Sequence, residues 1–201
     1  MARLKTEDRR KNIIDEAVKI IHKQGFEALT IRELAYRVNV TEPAIYRHFE
    51  NKEDIILSIM DRMNEFDEEL NRHIESVKGK ERKIAELINF HFLFFEKNPE
   101  ITSIIFSEDI FRNGKSLPDK LLSILTHRRG IICKVLEDAK RSREYQGLSS
   151  CNLATIILGF IRLVVLRWRL SGFAYSLVES GNSESKTLLK LIYNYGKQPK
   201  I

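Results

Sequence analysis

A chain of 201 residues, 43% apolar and 31% charged, is long enough for one or two small cored domains, and its balance is that of a folded soluble protein rather than a disordered one. The net charge is +6, and the first 52 residues hold 11 Lys and Arg against 8 Asp and Glu, so half of the excess sits at the N-terminal end and points to an anionic partner there. The N-terminus lacks the apolar stretch of a secretion signal. The most apolar segment, Leu153 to Leu166, is interrupted by Arg162 and followed by Arg167 and Arg169, which excludes a membrane span.

Arg3, Lys5, Arg9, Arg10 and Lys11 form a basic lead-in, either a solvated arm or a phosphate-tracking one. Ile13, Ile14, Ala17, Val18 and Ile21 then recur at helical spacing, and Gly25 is placed to end that helix in a left-handed conformation. Thr30 and Glu33 stand at capping-box spacing, so a short helix is expected from Ile31, with Leu34, Ala35 and Val38 facing inward. Asn39 tolerates the left-handed backbone of a turn. Thr41 is a second N-cap, and Pro43 falls in the first turn, where a missing N–H costs little. In the helix that follows, Ile45 and Phe49 face inward and leave Glu42, Tyr46, Arg47 and His48 outward. Asn51 caps a further helix that opens on Lys52, where free N–H groups and an amine together suit a phosphate. This polar, aromatic and largely cationic surface is what a major-groove reader needs.

Over these first 60 or so residues, from Gly25-Phe26 through ALTIRELA to the Tyr-x-His-Phe ending at Phe49 and Lys52-Glu53, the chain resembles the TetR family of bacterial transcriptional regulators. The resemblance implies that Thr30, Thr41, Tyr46, His48 and Lys52 touch the DNA backbone. It also makes Arg47 the base reader, with Glu42 beside it on the same helix.

From Lys52 a long helix is expected to about Lys78, on the recurrence of Ile59, Met63, Phe66, Leu70, Ile74 and Val77, with Asp67-Glu68-Glu69 as a solvated face. Helices follow at about Glu81 to Lys97, Glu100 to Arg112, Leu117 to Arg143, Ser149 to Leu170 and Ser183 to Tyr195. Breaks fall at Pro99, Gly114 with Pro118, Gly147 and the Gly172 to Asn182 stretch.

Aromatic residues concentrate around His91. Phe90, Phe94, Ile105, Phe111 and Trp168 are expected to line an apolar effector cavity, with His91 or Arg162 as its polar anchor; solid core is the alternative. The segment Ser149 to Leu170 is apolar on two faces, one with Leu153, Ile157, Phe160 and Val164 and another with Ile156, Leu163 and Leu170. Together with Leu188, Ile192 and Tyr195 of the last helix, the first of these faces is assigned to a dimer interface, which resembles the family's dimer-forming helices.

Cys133 and Cys151 form no C-x-x-C pair and have no histidine at ligand spacing, so neither a zinc site nor a disulfide framework is expected. No H-E-x-x-H occurs, and the Asn113-Gly-Lys-Ser116 run lacks the leading glycine and strand of a phosphate-binding loop. The expectation is therefore an all-α protein that is not an enzyme and needs no cofactor or metal. Residues 1–52 form a three-helix DNA-binding domain with a helix-turn-helix, and 53–201 form a helical effector-binding and dimerisation domain, linked by the helix over about 52–78. It is expected to be a cytoplasmic, homodimeric repressor, with no membrane partner, released from double-stranded operator DNA by a small hydrophobic effector. Two alternatives stay open: the same fold controlled by a protein partner, and a helical small-molecule-binding or catalytic protein without DNA function.

Overall fold

The computed structural model describes residues 6–107, 112, 114–140 and 148–195, and these are helical with short connections. In chain order the α-helices are α1 (Thr6–Gln24), α2 (Ile31–Arg37), α3 (Glu42–Tyr46), α4 (Lys52–Ser76), α5 (Lys80–Lys97), α6 (Thr102–Ile105), α7 (Leu117–Lys140), α8 (Ser150–Leu170) and α9 (Leu177–Tyr195). Single 3-10 turns lie at Phe26–Ala28 and Pro99–Ile101. The chain divides into two compact units, one running to Asn64 and including Glu100–Leu122, the other Glu65–Pro99 with the chain from Ser123 onward. The division falls within α4 and again within α7.

In the first unit α1 buries Ile13, Ala17, Ile20 and Ile21 and ends where the Gly25 N–H reaches the Ile21 carbonyl at 2.9 Å. Gly25 has φ of +87°, a conformation that a side chain would strain. Thr30 caps α2 by accepting from the Glu33 N–H at 3.1 Å. Only this half of the expected capping box forms, because the Glu33 carboxylate accepts from Arg37 Nε at 2.6 Å, one turn on. Asn39 takes the left-handed turn position with φ of +54°. Thr41 stands at the N-cap of α3, although its hydroxyl makes no capping bond to the helix, and Pro43 lies in its first turn. A reciprocal cap opens α4: the Asp54 N–H donates to Asn51 Oδ1 at 2.9 Å and the Glu50 N–H to Asp54 Oδ2 at 3.1 Å.

The basic lead-in is corrected at Arg10. Its guanidinium donates to the His48 carbonyl at 2.6 Å and to Ser58 Oγ at 2.7 Å, and it covers the Phe49 ring at 4.3 Å. It therefore joins α1 to the end of the helix-turn-helix. Arg3 and Lys5 lie outside the described residues.

In the second unit Asp67 is not part of a solvated face. It is 4% exposed and accepts at Oδ1 from both Nε (3.0 Å) and Nη2 (2.8 Å) of Arg128, itself 5% exposed. The guanidinium also lies over the Phe66 ring at 4.2 Å. The helix expected over 100–112 is a 3-10 turn and the short α6, with residues 108–111 and 113 outside the described set. The last helix begins earlier than its apolar pattern suggests. Glu96 of α5 accepts from Ser176 Oγ (2.9 Å) and the Val178 N–H (3.3 Å), which starts α9 at Leu177. Gly181 then falls within α9 at the contact with α5, where a Cβ would lie 2.4 Å from the Phe92 ring; its glycine marks close helix packing and not a loop. Cys133 and Cys151 are bonded to each other, contrary to the expectation of no disulfide framework; Cys133 in α7 and Cys151 in α8 are placed together only by helix packing.

Candidate functional site

The helix-turn-helix presents the residues expected to meet DNA. Thr30, Thr41, Glu42, Tyr46 and Arg47 are exposed, and His48 is half-buried. The inward residues Ile45 and Phe49 seat α3 on the core of the first unit, so a five-residue helix is held by packing and by Arg10 rather than by its own hydrogen bonds. Lys52, expected to offer its amine to a phosphate together with the helix N–H groups, is partly engaged within the first unit. Its Nζ donates to the Phe26 carbonyl at 2.9 Å and sits 3.7 Å from the centre of the Phe26 ring, and burial lowers its pKa. One ammonium N–H is thus committed to the 3-10 turn, leaving the other two for an anion. Tyr36 on α2 was not singled out by its sequence, yet it is 82% exposed, more than the 53% of Tyr46. Its signal was a large aromatic at an outward helical position beside Arg32 and Arg37.

The second unit gathers part of the expected effector site. Phe90, His91 and Phe94 of α5 surround Phe66 of α4, with ring centres 5.4, 5.0 and 4.5 Å from it. His91 is fully buried. Its Nδ1–H donates to the Leu87 carbonyl at 2.7 Å, and its Nε2 has no hydrogen-bond partner among the described residues. Phe66, Asp67 and Arg128 join this cluster, although sequence alone placed them in a stripe, a solvated face and an unremarked helix. Of the other residues expected there, Ile105 is buried in the first unit, and Phe111 lies outside the described residues. Arg162, expected as an inward anchor, is exposed on α8. Trp168 is buried and donates its indole N–H to the Tyr175 carbonyl at 2.7 Å.

Burial, and then the Arg128 charge, push the His91 pKa down from 6.5 to about 3. The unfolded imidazole takes up a proton below 6.5, whereas the folded one stays neutral to about 3, so the contribution of this residue to stability falls as pH drops through that window. The slope is about 1.4 kcal/mol per pH unit. His91→Leu should accordingly lose less thermal stability than the natural protein between neutral and mildly acid pH. Equal losses in the two proteins would show that His91 does not carry this dependence.

The faces of α8 are also reassigned. Leu153, Ile157, Val164 and, on α9, Ile192 are buried within the subunit itself, while Phe160 and Leu188 are half-buried; the side chain of Tyr195 lies outside the described set. The α8 positions face inward because α5 and α9 pack against that helix. Among the described residues of α8 and α9, the large apolar side chains left exposed are Ile156, Leu163 and Leu170, seven apart on one stripe, and Leu191 on α9. Among the described residues no group of His, Cys, Asp or Glu is arranged to hold a metal, and no described helix is long and apolar enough to cross a membrane.

Comparison with known proteins places two family models on this chain: bacterial regulatory proteins of the tetR family over residues 13–59, and the YsiA-like protein C-terminal region over residues 59–191. The fatty acid metabolism regulator protein of Bacillus subtilis (strain 168) is 28% identical over 184 residues, covering 90% of this chain and 94% of that protein. The nucleoid occlusion factor SlmA of Photobacterium profundum is 24% identical, covering 90% and 93%. Among solved structures, the transcriptional regulator FadR from Bacillus subtilis in complex with stearoyl-CoA superposes with a TM-score of 0.79 at 27% identity, covering 92% of this chain and 98% of that one. The fatty acid degradation regulator FadR from Bacillus halodurans gives a TM-score of 0.83 at 22% identity, covering 92% and 97%, a likeness of fold.

Proposed function

This chain belongs to the TetR family of bacterial transcriptional regulators, and from that premise we propose that it binds a pseudo-palindromic operator as a homodimer and is released from it by a long-chain fatty acyl thioester. It is a DNA-binding regulator and not an enzyme. The observation that carries the effector class is the likeness over nine-tenths of the chain to a regulator that holds stearoyl-CoA. The cluster of Phe66, Phe90 and Phe94 supports it, since an acyl chain needs an apolar, aromatic-lined interior and few polar groups. His91 and Arg128 are the polar groups beside it.

Residues 1–52 read the DNA. Thr30, Thr41, Tyr46, His48 and Lys52 meet phosphates, while Arg47, flanked by Glu42, meets base edges. Twofold association brings two copies of α3 to half-sites about one DNA turn apart or a simple multiple of it. Its seam is the exposed stripe of Ile156, Leu163 and Leu170 with Leu191, whose removal from water by a second copy is the hydrophobic gain of assembly. A ligand changes operator affinity only through unequal affinity for two states of the protein, and α4 begins beside the reading helix and carries Phe66 and Asp67 into the second unit.

The test is a pair of titrations: stearoyl-CoA with and without operator, and operator with and without stearoyl-CoA. Each should weaken the other by the same factor, about 5–150-fold, and octanoyl-CoA or coenzyme A alone should have little effect. A protein that binds stearoyl-CoA with no change in operator affinity is not controlled this way, and control by a protein partner becomes the better reading.

A further inference from the structure

Cys133 in α7 and Cys151 in the first turn of α8 are joined by a disulfide, their Cα atoms 4.9 Å apart across a sequence separation of 18. They are the two cysteines of the chain, so a single intramolecular pairing exists. Neither contributes to the DNA-facing surface or to the aromatic cluster. We propose that this pair is a reversible modification site: a dithiol that hydroperoxides oxidise to the disulfide, the oxidised form resisting release from the operator by acyl thioester. The second half rests on the effector reading above.

A protein that works on chromosomal DNA acts where thiols are held reduced, and disulfides found in such surroundings are mostly transient and redox-sensing. The two cysteines also differ in a way that assigns their roles. Cys151 is exposed and lies two residues after the N-cap Ser149, where the unpaired N–H groups and the dipole of a 21-residue helix favour an anion such as a thiolate. Cys133 is half-buried on α7 and suits the second, resolving step. The Cys151 thiolate attacks the terminal oxygen of the hydroperoxide, forming an S–O bond as the O–O bond breaks, and an alcohol leaves after taking a proton. Cys133 then attacks the sulfenic sulfur; the S–S bond forms, the S–O bond breaks and water leaves. Two thiols lose two electrons, and the hydroperoxide is reduced to alcohol and water.

The consequence follows from what α7 carries. Arg128 stands five residues before Cys133 and holds Asp67 of α4 beside the Phe66 ring. A link from α7 to the start of α8 restrains the helix that a ligand entering the cluster has to displace. The disulfide therefore favours the unliganded arrangement.

The experiment uses the full chain, reduced with dithiothreitol and then treated with hydrogen peroxide. The treated protein should be lighter by two hydrogens and have no alkylatable thiol, and dithiothreitol should reverse both changes. Cys133→Ser should accumulate a sulfenic acid at Cys151 that dimedone captures, whereas Cys151→Ser should give no such adduct at Cys133. The stearoyl-CoA concentration for half-release of operator should be about tenfold higher for the oxidised than for the reduced protein, a coupling of ordinary allosteric size, and this difference should vanish in Cys133→Ser. Two alkylatable thiols surviving peroxide would overturn the site, and identical release curves for the two forms would overturn its regulatory role. Stearoyl-CoA releasing neither form would count against the effector reading, and the mass and dimedone results would still decide the site.

Discussion

Arg128→Met is expected to destabilise the protein by about 3–5 kcal/mol, because it leaves the Asp67 carboxylate buried without its counter-charge. Both bonds from Arg128, at 3.0 and 2.8 Å, go to one carboxylate oxygen, and both side chains are about 5% exposed, so water does not replace the lost partner. Asp67→Asn should cost less than Arg128→Met, since a neutral amide oxygen still accepts from the guanidinium. The double variant Asp67→Leu with Arg128→Met should recover most of the loss, because a buried ion pair and a well-packed apolar pair are often close in energy. Urea unfolding of the three variants measures this. A single Arg128→Met variant within 1 kcal/mol of the natural protein, on the scale of an exposed ion pair, would mean that the pair is not desolvated.

The second large effect is expected at the DNA. Arg47 is exposed at the C-cap of α3, and among the described residues its side chain makes no hydrogen bond or ion pair that would hold it from a base. Arg47→Ala should reduce discrimination between operator and mismatched DNA by about 1–3 kcal/mol if it forms a bidentate contact to guanine. Lys52→Ala should weaken binding to all sequences and flatten the dependence of log K on log salt by about 0.9. It should also lower thermal stability, since Nζ holds the Phe26 carbonyl and covers the Phe26 ring. Tyr46→Phe removes a neutral hydroxyl and should weaken binding with no change in that slope. Measured over several salt concentrations on operator and scrambled DNA, the three variants separate base reading from phosphate contact. Unchanged affinity and preference in all three would remove α3 from the DNA interface.

What the chain makes legible without coordinates is what residues three to five apart decide among themselves. The Thr30 cap, the left-handed Asn39 and Gly25, the Asn51 cap and the inward pair Ile45 and Phe49 all appear in the structure as the sequence implies. Each depends on one turn of backbone and its nearest side chains, and that local chemistry is the same in any helical protein. The same short motifs carried the family resemblance, and hence the function.

Tertiary packing decided the rest, because it pairs residues that no local pattern connects. Asp67 and Glu68 are neighbours with like charge, yet one is sealed against Arg128, 61 residues away, and the other is exposed; periodicity does not distinguish them. Arg10 reads as one of a basic run until Ser58 and the His48 carbonyl converge on it. The apolar pattern of α8 showed two faces but not which of them its own subunit covers, so Ile157 became core and Ile156 surface. Cys133 and Cys151 met for the same reason: a helical sequence specifies the stripes it offers for burial, and only the packing of other helices determines which stripe is taken and which side chains are brought within bonding distance.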